Sequence, residues 1–397
     1  MGYLCISCHL LFKELMVIVY VVNVDWFFMS HRLPLAKHAL EEGNEVYILT
    51  ADTGWRKELE NLGVKFVDIP FKRSGINPFH EIKCISQLVS EYKRIKPDIV
   101  HHITLKSSLC GSIAAKIAGV KNVINAISGF GYMFTDDRKG LVKTILSAVI
   151  KVAYRSKHFS FILQNPDDIN SVKKMNLVPN ENVYLIKGSG VNLNTYAYTE
   201  PIAKDKLEVL FPARILRDKG VVELIESAQL LKDKYFDCVK FVLAGDCDEE
   251  NPAVLHESEL KELLVDNYIE WIGYIKNMYP VYQQADIVAL PSYREGLPKS
   301  LIEACAVGRP IVTTNAIGCK ECVVNGINGY LVPVKSVNDL ADALESLIID
   351  EKKRLSFGKC SRKMAEQVFS IDSVIDKTFA IYNTYRERSE VDTMDVI

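Results

Sequence analysis

Two glutamates eight residues apart, Glu295 and Glu303, lie in the segment of the sequence that is best suited to chemistry. One apolar run precedes them (ADIVAL) and another follows (PIVTT), and such runs are typical of buried parallel strands. The segment is therefore predicted to form a strand, a loop, a helix and a second strand, with Glu295 in the loop and Glu303 in the helix. Because free N–H groups and the positive dipole end lie at a helix amino terminus, the backbone of residues 296–299 is predicted to attract an anion.

Glu303 also has a purely structural explanation. Lys299 lies one turn earlier on the predicted helix, and side chains four residues apart on a helix are neighbours, so the carboxylate could simply pair with that ammonium group. The sequence leaves both interpretations open.

A pair of basic residues accompanies another predicted strand-to-helix connection. The strand LEVLFP leads through Arg214 and Lys219 into a helix that begins after Gly220. Fixed positive charge beside a helix amino terminus can bind a diphosphate without a metal ion. The alternative is that both residues are solvated charges flanking a helix start.

The elements that must position these residues alternate between strands and helices. Strands are predicted from Met16 (VIVYVVNVD) and at 45–50, 64–69 and 97–103, which favours a parallel sheet with helices on both faces. The fingerprint G-x-G-x-x-G is absent from this Rossmann-like region, so NAD binding is not expected. A chain of 397 residues is long enough for two such domains, and the polar stretch at 199–206 is predicted to link them.

The composition is that of a globular protein without strong overall charge. The formal net charge is −2, charged residues make up 25% of the chain and hydrophobic residues 48%, so a nucleic-acid partner is not expected. Ten scattered cysteines argue against a disulfide framework and for a reducing cytosol. The C-x-x-C pairs Cys5/Cys8 and Cys319/Cys322 lie far apart in the sequence, so no metal site is predicted.

The first fifteen residues are apolar, but Lys13 and Glu14 interrupt the run and no small-residue cleavage site follows. Residues 1–15 are therefore predicted to be a flexible extension rather than a signal peptide. No run reaches the roughly 18 to 20 uninterrupted apolar residues that a membrane span requires.

Taken in order along the chain, these features resemble the retaining glycosyltransferases of family 4. The chain has the family's E-x7-E pair at Glu295 and Glu303, its R-x4-K-G at Arg214 and Lys219, its G-[DE] turn at Gly245, and the glycine-rich hallmark GCKECVVNGINGYLVP. The resemblance implies an α/β protein with the GT-B fold, in which two Rossmann-like, doubly wound parallel-sheet domains face a cleft.

The resemblance covers about residues 16–388 and implies how the chain is divided. After the 1–15 extension, residues 16–198 are expected to form an N-terminal acceptor-binding domain, and residues 199–370 a C-terminal domain that binds the nucleotide sugar. A last helix, residues 371–388, is expected to cross back to the first domain.

The family's donor site carries over to matching positions of this chain. Glu303 is implied to hold the ribose of the sugar nucleotide, and Glu295 to face the donor sugar. Arg214, Lys219 and Glu295 are the expected catalytic residues, because the two cations would offset the charge on a leaving diphosphate. The complete set expected to bind the donor is Arg214, Lys219, Gly245, Tyr274, Ile275, Glu295, Gly296, Leu297, Pro298, Lys299 and Glu303. No metal ion or other cofactor is expected.

Polar residues in the loops after the first-domain strands are expected to hold an acceptor sugar. That set is Trp26, His31, His102, Lys106, Ser128 and Gly129. Within it, Lys106 could bind a phosphate. A packing or capping role explains His31 and His102 equally well. Where many family members have a histidine, after the strand NVINAI, this chain has SGFG from Ser128 to Gly131. Whatever that histidine does must be done otherwise here or not at all.

Residues 138–157, RKGLVKTILSAVIKVAYRSK, hold six basic residues and no acidic one. On a helix, their apolar residues occupy one half and Lys143, Lys151 and Arg155 the other. Such a helix can lie on an anionic membrane surface, where each nearby Lys or Arg contributes roughly 1 kcal/mol. The alternative is a helix packed on its own domain with a solvated basic face.

Within the family, the chain is similar to bacterial transferases that extend undecaprenyl-diphosphate-linked sugars during O-antigen, capsule or N-glycan assembly. The stretches INPFHEIK, DEENP and PSYREGLPKSLIEA carry this likeness. It implies a UDP-sugar donor such as UDP-N-acetylgalactosamine, a lipid-linked saccharide acceptor, and a cytoplasmic enzyme peripheral to the inner face of the plasma membrane. The alternatives are a GT-B-fold UDP-sugar 2-epimerase and a non-catalytic sugar-nucleotide-binding subunit.

Overall fold

The computed structural model describes residues 15–72, 77–130 and 141–394. They form two parallel sheets, one of seven strands and one of six, which we call the N-lobe and C-lobe sheets. The remaining residues, which include most of the predicted extension, Gly131 and residues 138–140 of the basic segment, lie outside the described part of the chain.

The N-lobe sheet has the strand order β3-β2-β1-β4-β5-β6-β7. Its elements are β1 (Val17–Val24), α1 (Asp25–His31), α2 (Leu33–Glu41), β2 (Glu45–Ala51), α3 (Arg56–Asn61), β3 (Lys65–Asp68), α4 (Pro78–Ile95), β4 (Ile99–Ile103), α5 (Leu105–Ala118), β5 (Val123–Ile127), α6 (Leu141–Tyr154), β6 (Phe159–Leu163), α7 (Pro166–Lys174) and β7 (Val183–Leu185).

Helices cover both faces of this sheet. Alternate residues of a strand point to opposite faces, so Val19 and Val21 of β1 join a core with α4, α5 and α6, whereas Ile18 and Tyr20 join a second core with α1 and α2. This packing explains why residues 17–22 of β1 are all apolar rather than only every second one.

The C-lobe sheet has the strand order β10-β9-β8-β11-β12-β13. Its elements are β8 (Leu207–Pro212), α8 (Val221–Tyr235), β9 (Val239–Ala244), α9 (Glu257–Leu263), β10 (Ile269–Trp271), α10 (Tyr279–Gln284), β11 (Ile287–Leu290), α11 (Lys299–Val307), β12 (Ile311–Thr314), β13 (Gly329–Val332), α12 (Val337–Ile348), α13 (Glu351–Met364) and, after a π-helical turn at Ala365–Phe369, α14 (Ile371–Met394).

Helix α14 packs on the N-lobe rather than on the lobe that precedes it. Its residues Phe379, Tyr382 and Tyr385 belong to the second N-lobe core. The buried Tyr382 hydroxyl lies 2.6 Å from His101 Nδ1, and Phe379 packs edge-to-face on His38. Helix α14 therefore ties the two lobes together.

The predicted strands and helices of the two lobes form, with differences of a few residues at their ends. The region after β1 differs more, because Trp26 and His31, which were expected in a loop, lie in the short helix α1. Within the described part of the chain, every helix is too short or too polar to span a bilayer.

Candidate active site

The loops that follow β8 and β11 lie side by side, because these two parallel strands are neighbours in the C-lobe sheet. The Tyr293 amide donates to the Asp218 carbonyl at 2.9 Å. Gly220 is in left-handed conformation, and a Cβ there would lie 2.2 Å from the Pro291 carbonyl oxygen. Only glycine satisfies both conditions, so this residue lets the two loops touch.

Lys219 and Glu295 meet where these loops touch. The Lys219 ammonium donates a hydrogen bond to Glu295 Oε1, and the two side chains are only 18% and 15% exposed. The Glu295 amide donates to the Ile317 carbonyl at 2.9 Å, and Gly318 lies directly against the Glu295 carbonyl. The structure thus brings together two of the three predicted catalytic residues and holds Glu295 between neighbouring loops.

Arg214, the third predicted catalytic residue, lies at the same edge of the sheet. Its guanidinium is partly exposed and lies 2.5 Å from Asp248 Oδ2 in the loop after β9. Gly245 packs so closely on the backbone of Ala213 that a Cβ would lie 1.9 Å from its carbonyl oxygen. The predicted donor residues Arg214 and Gly245 are therefore close together, and Asp248 is a partner that the motif did not predict.

Tyr274 and Ile275 extend this edge toward the outer strand β10. The Gly245 amide donates to the Gly273 carbonyl at 2.9 Å, and Trp271 Nε1 donates to the Gly245 carbonyl at 2.7 Å. Tyr274 is exposed and Ile275 is half-buried. Both predicted nucleotide-contacting residues are thus held beside the Gly245 turn.

Helix α11 begins at Lys299, directly after Pro298, and no side chain caps this end of the helix. Leu297 and Pro298 are buried. An uncapped amino terminus leaves the first-turn N–H groups and the positive dipole end for an anion. This geometry suits the predicted role of residues 296–299.

Glu303 lies on the buried side of α11. Tyr282 donates its hydroxyl to Glu303 Oε2 at 3.2 Å, and Lys299 Nζ lies 3.6 Å from Oε1. Burial raises the pKa of the Glu303 carboxyl above its usual value, although Lys299 and the hydroxyls of Tyr196 and Tyr282 oppose this. The pairing with Lys299 that the sequence offered as an alternative is present, and it does not preclude contact with a ribose.

The loop before α11 also touches the N-lobe. Lys299 Nζ donates to the Ser30 carbonyl at 2.6 Å, and Asn165 Nδ2 donates to the Gly296 carbonyl at 3.0 Å. A Cβ on Gly296 would lie 2.8 Å from Ser128 Cβ. The predicted donor loop and the predicted acceptor residue Ser128 therefore face each other where the two lobes meet, a boundary that we call the seam.

His31 lies in the N-lobe wall of this seam. Its ring stacks on Phe27 with 4.1 Å between centroids, and its Nδ1 lies 2.6 Å from Ser30 Oγ. Burial lowers the pKa of His31 to about 3, with smaller contributions from the nearby Lys299 and Arg32 cations. The imidazole is thus neutral at physiological pH and is suited to hydrogen bonding rather than to ion pairing.

Trp26 is exposed on the same wall, and a carboxylate that the sequence prediction omitted from the site fixes its position. The fully buried Asp25 accepts hydrogen bonds from the amides of Trp26, Thr53 and Trp55 at 2.7, 2.7 and 3.2 Å. Across the seam, Lys276 Nζ lies 5.8 Å from the Trp55 ring centroid. The sequence could have indicated Asp25 as a site residue, because it directly follows the first strand.

Two predicted acceptor residues lie elsewhere. His102 is fully buried, with Nε2 3.0 Å from the Tyr92 hydroxyl and Nδ1 2.8 Å from Asn125 Oδ1. His102 therefore packs inside the N-lobe core, as the alternative interpretation held, rather than in a loop that could contact the acceptor. Lys106 pairs with Glu81 at 2.8 Å and donates to the Lys72 carbonyl. Lys106 is thus engaged within the N-lobe, and its expected phosphate contact stays a prediction.

No group of three or more His, Cys, Asp or Glu side chains within the described residues is arranged to hold a metal ion. Cys319 and Cys322 are buried free thiols, and the other C-x-x-C pair, Cys5 and Cys8, lies outside the described part of the chain.

Both halves of the chain match known sequence families. The Glycosyl transferase 4-like family matches residues 17–165, and the Glycosyl transferases group 1 family matches residues 196–364. The first range contains the strands β1 to β6, and the second contains β8 to β13 with the Lys219–Glu295 pair.

Similar sequences extend over nearly the whole chain. The N,N'-diacetylbacillosaminyl-diphospho-undecaprenol alpha-1,3-N-acetylgalactosaminyltransferase of Campylobacter jejuni is 30% identical over 86% of this chain and 93% of its own length. The capsular polysaccharide biosynthesis glycosyltransferase CapM of Staphylococcus aureus is 26% identical over 91% of this chain and 97% of its own length.

Solved structures share the arrangement of the two lobes. HepE of Anabaena, in complex with UDP and glucose, has a TM-score of 0.74 at 17% identity and covers 93% of this chain and 99% of its own. Sucrose-phosphate synthase of Thermosynechococcus elongatus has a TM-score of 0.76 at 16% identity, covering 94% of this chain and 100% of its own. The predicted GT-B fold is thereby confirmed.

Proposed function

This chain belongs to the glycosyltransferase family whose 4-like and group 1 domains match its two halves, and from that premise we propose that it transfers a sugar from a UDP-sugar to a lipid-linked saccharide with retention of anomeric configuration. The observation that carries this proposal is the Lys219–Glu295 contact beside the uncapped start of α11. It supplies a cation, a carboxylate and free peptide N–H groups at one place.

The proposed mechanism depends on charge stabilisation. When the bond between the anomeric carbon and the diphosphate oxygen breaks, negative charge grows on the departing UDP. Lys219, Arg214 and the first-turn amides of α11 would offset that charge, and preorganised groups of this kind are the largest single contribution in many enzymes. The acceptor hydroxyl would attack the oxocarbenium-like sugar from the side that UDP leaves, and its proton would leave with the diphosphate.

Retention through this route needs no covalent enzyme intermediate. Glu295 is held by Lys219, and its proposed role is to orient the donor sugar rather than to attack it. Glu303, with Tyr282 on one oxygen, is proposed to hold the ribose. Arg214 and Lys219 supply fixed positive charge, so we propose that transfer requires no metal ion.

The identities of donor and acceptor rest on relatives. The Campylobacter jejuni relative is named for N-acetylgalactosamine transfer to a diphospho-undecaprenol-linked sugar, and CapM for capsular polysaccharide biosynthesis. Together with the stretches that resemble such enzymes, these names support an N-acetylhexosamine donor such as UDP-N-acetylgalactosamine and an undecaprenyl-diphosphate-linked acceptor in surface polysaccharide synthesis. The alternative of a UDP-sugar 2-epimerase finds no support among these relatives.

A lipid-linked acceptor would require the enzyme to work at a membrane, and helix α6 is the proposed contact. Its Ile150, Ala153 and Tyr154 are buried, whereas Val149 and Val152 are 43% and 69% exposed. Part of the predicted apolar half of the helix therefore faces away from the N-lobe core. The α6 outer face, which is Val149, Lys151, Val152 and Arg155, thus combines exposed apolar and basic residues, as interfacial helices do. A peripheral position on the inner face of the plasma membrane follows as a proposal.

The test is a transfer assay with defined substrates. Purified protein is incubated with a panel of UDP-sugars and an undecaprenyl-diphosphate-linked saccharide, and mass spectrometry is used to look for a lipid that has gained one sugar residue. Proton NMR of the product then reports the anomeric configuration. A UDP-sugar converted without acceptor would favour an epimerase, and UDP binding without any product would favour a non-catalytic subunit. Addition of EDTA should leave the rate unchanged.

A further inference from the structure

The segment directly after β6, residues 164–168 (QNPDD), is absent from the predicted site and yet contacts the donor loop at Arg294 and Gly296. It also contacts the loop after β5, residues 128–130, where the acceptor is expected. We infer that Asp168 and Arg294 are positioning residues that couple these two loops, so that order in one favours order in the other.

The contacts on the donor side are to Arg294 and Gly296, the two residues that flank Glu295. Asn165 Nδ2 donates to the Gly296 carbonyl at 3.0 Å. A Cβ on Gly296 would lie 2.8 Å from Gln164 Oε1, so the two segments approach each other closely here. Arg294 Nη2 lies 3.6 Å from Asp168 Oδ1. The residues on either side of Glu295 are therefore both held by the N-lobe.

The contacts on the acceptor side use the other oxygen of the same carboxylate. Asp168 Oδ2 accepts hydrogen bonds from the Phe130 amide at 3.1 Å and from Asn165 Nδ2 at 3.0 Å. Asn165 in turn caps α7 by accepting from the Asp168 amide at 2.8 Å. One carboxylate thus fixes the end of the acceptor loop with Oδ2 and faces the donor loop with Oδ1.

Because Asp168 is buried, its hydrogen bonds and its ion pair matter for stability. Asp168 is fully buried, and a buried carboxylate is stable only when opposite charge and hydrogen-bond donors compensate for its lost hydration. Arg294 supplies the opposite charge from the other lobe. Movement of the donor loop away from Asp168 would remove that charge and weaken the site that holds Phe130. Because coupling between two sites is reciprocal, an acceptor that orders residues 128–130 would also favour the closed position of the donor loop.

Asp168 and Arg294 lie outside the family's E-x7-E and R-x4-K-G motifs, whose residues are proposed to act at the donor itself. Arg294 and Asp168 touch no predicted reacting atom, so they are positioning rather than catalytic residues. The inference rests on the proposed function for the meaning of the two loops, but the coupling between them can be measured without any substrate.

The experiment measures hydrogen–deuterium exchange in the full chain, comparing wild type with Arg294→Gln, Arg294→Lys and the control Arg94→Gln. Arg94 pairs with Glu91 within α4, so the control removes an exposed ion pair that does not cross between lobes. In Arg294→Gln, the Phe130 amide is expected to exchange about fivefold faster, at the lower end of the usual range for coupled sites. Arg294→Lys keeps the charge and should restore much of the protection, and the control should match wild type.

Unchanged exchange at Phe130 in Arg294→Gln, with faster exchange only around residue 294, would overturn the coupling. Equal acceleration throughout the N-lobe would also overturn it, since that would mean general destabilisation. Kinetics provide a second measurement. Arg294→Gln is expected to lower kcat about tenfold while the KM for the UDP-sugar changes less than about twofold, because misplaced groups slow the reaction without removing donor contacts. If the wild type shows no transfer, the proposed function fails while the exchange result still decides the coupling.

Discussion

Lys219 and Glu295 form a hydrogen-bonded ion pair, although 76 residues separate them in the sequence. They meet because β8 and β11 are parallel neighbours, so the residues that follow both strands emerge at the same edge of the sheet. Ligands of open α/β sheets bind at this edge. The pair joins a cation suited to a diphosphate to a carboxylate suited to a sugar hydroxyl, and the first prediction follows from it.

Substitution of Lys219 by alanine is expected to lower kcat by about 100-fold, the usual scale for removing one electrostatic donor to a developing negative charge. Initial rates with saturating UDP-sugar and acceptor measure this. Lys219→Arg should retain more activity than Lys219→Ala because it keeps the charge. Lys261→Ala is the matched control, since Lys261 pairs with Glu257 on the surface at 2.7 Å. A Lys219→Ala rate within about threefold of wild type would exclude the proposed role of the cation.

Substitution of Glu303 by glutamine is expected to weaken UDP binding about tenfold, or about 1.4 kcal/mol, by removing the charged acceptor for the ribose hydroxyls. Isothermal titration calorimetry with UDP measures the dissociation constant. An unchanged constant would remove Glu303 from the donor site.

The same variant is expected to be more stable than wild type at neutral pH. Burial raises the pKa of Glu303, so the folded protein holds this proton at pH values where the unfolded chain has lost it. Stability therefore falls as pH rises from the usual glutamate value through the raised one. Glutamine carries no charge and avoids this loss. Melting temperatures measured at several pH values should show a gain for Glu303→Gln at pH 7 that shrinks on acidification, and a lower melting temperature at pH 7 would contradict the argument.

His31 is expected to remain neutral throughout the physiological range. Burial lowers its pKa to about 3, so only the unfolded chain takes up a proton between its ordinary value near 6.5 and that pH. This group therefore contributes stability above pH 6.5 that is lost progressively as the pH falls toward 3. NMR of histidine ring protons in wild type and His31→Gln identifies the resonance. Titration of that resonance between pH 5 and 8 would contradict the burial argument.

The α6 outer face is expected to bind anionic vesicles. The double substitution of Lys151 and Arg155 by glutamate should reduce co-sedimentation with vesicles containing phosphatidylglycerol, because each nearby cation contributes about 1 kcal/mol at such a surface. Val152→Asp should reduce it independently by removing an exposed apolar contact. Lys93→Glu, an exposed lysine of α4, is the control for a general change in charge. Absence of wild-type binding to these vesicles would refute the membrane proposal.

Several features of the site could be predicted from short sequence patterns. The connections that follow predicted strands contain Arg214, Lys219, Glu295 and the start of α11. Parallel strands necessarily end at one edge of a sheet, so these residues are expected to lie close together. His102 shows where that reasoning fails. It lies at the end of β4, but Gly111 leaves room for its ring inside the lobe, where Tyr92 and Asn125 provide hydrogen bonds.

The amino-acid sequence by itself determined the alternation of strands and helices and the residues at the strand ends, because these depend on local periodicity. Its short motifs indicated the two-lobed GT-B fold through their resemblance to a known family. The tertiary structure decided which strand ends face each other across the seam. That arrangement pairs Asp168 with Arg294 and places Asn165 on the Gly296 carbonyl, at sequence separations that no local pattern encodes. Contacts between lobes depend on how the two sheets are oriented, and packing such as that of α14 on the N-lobe core contributes to this orientation.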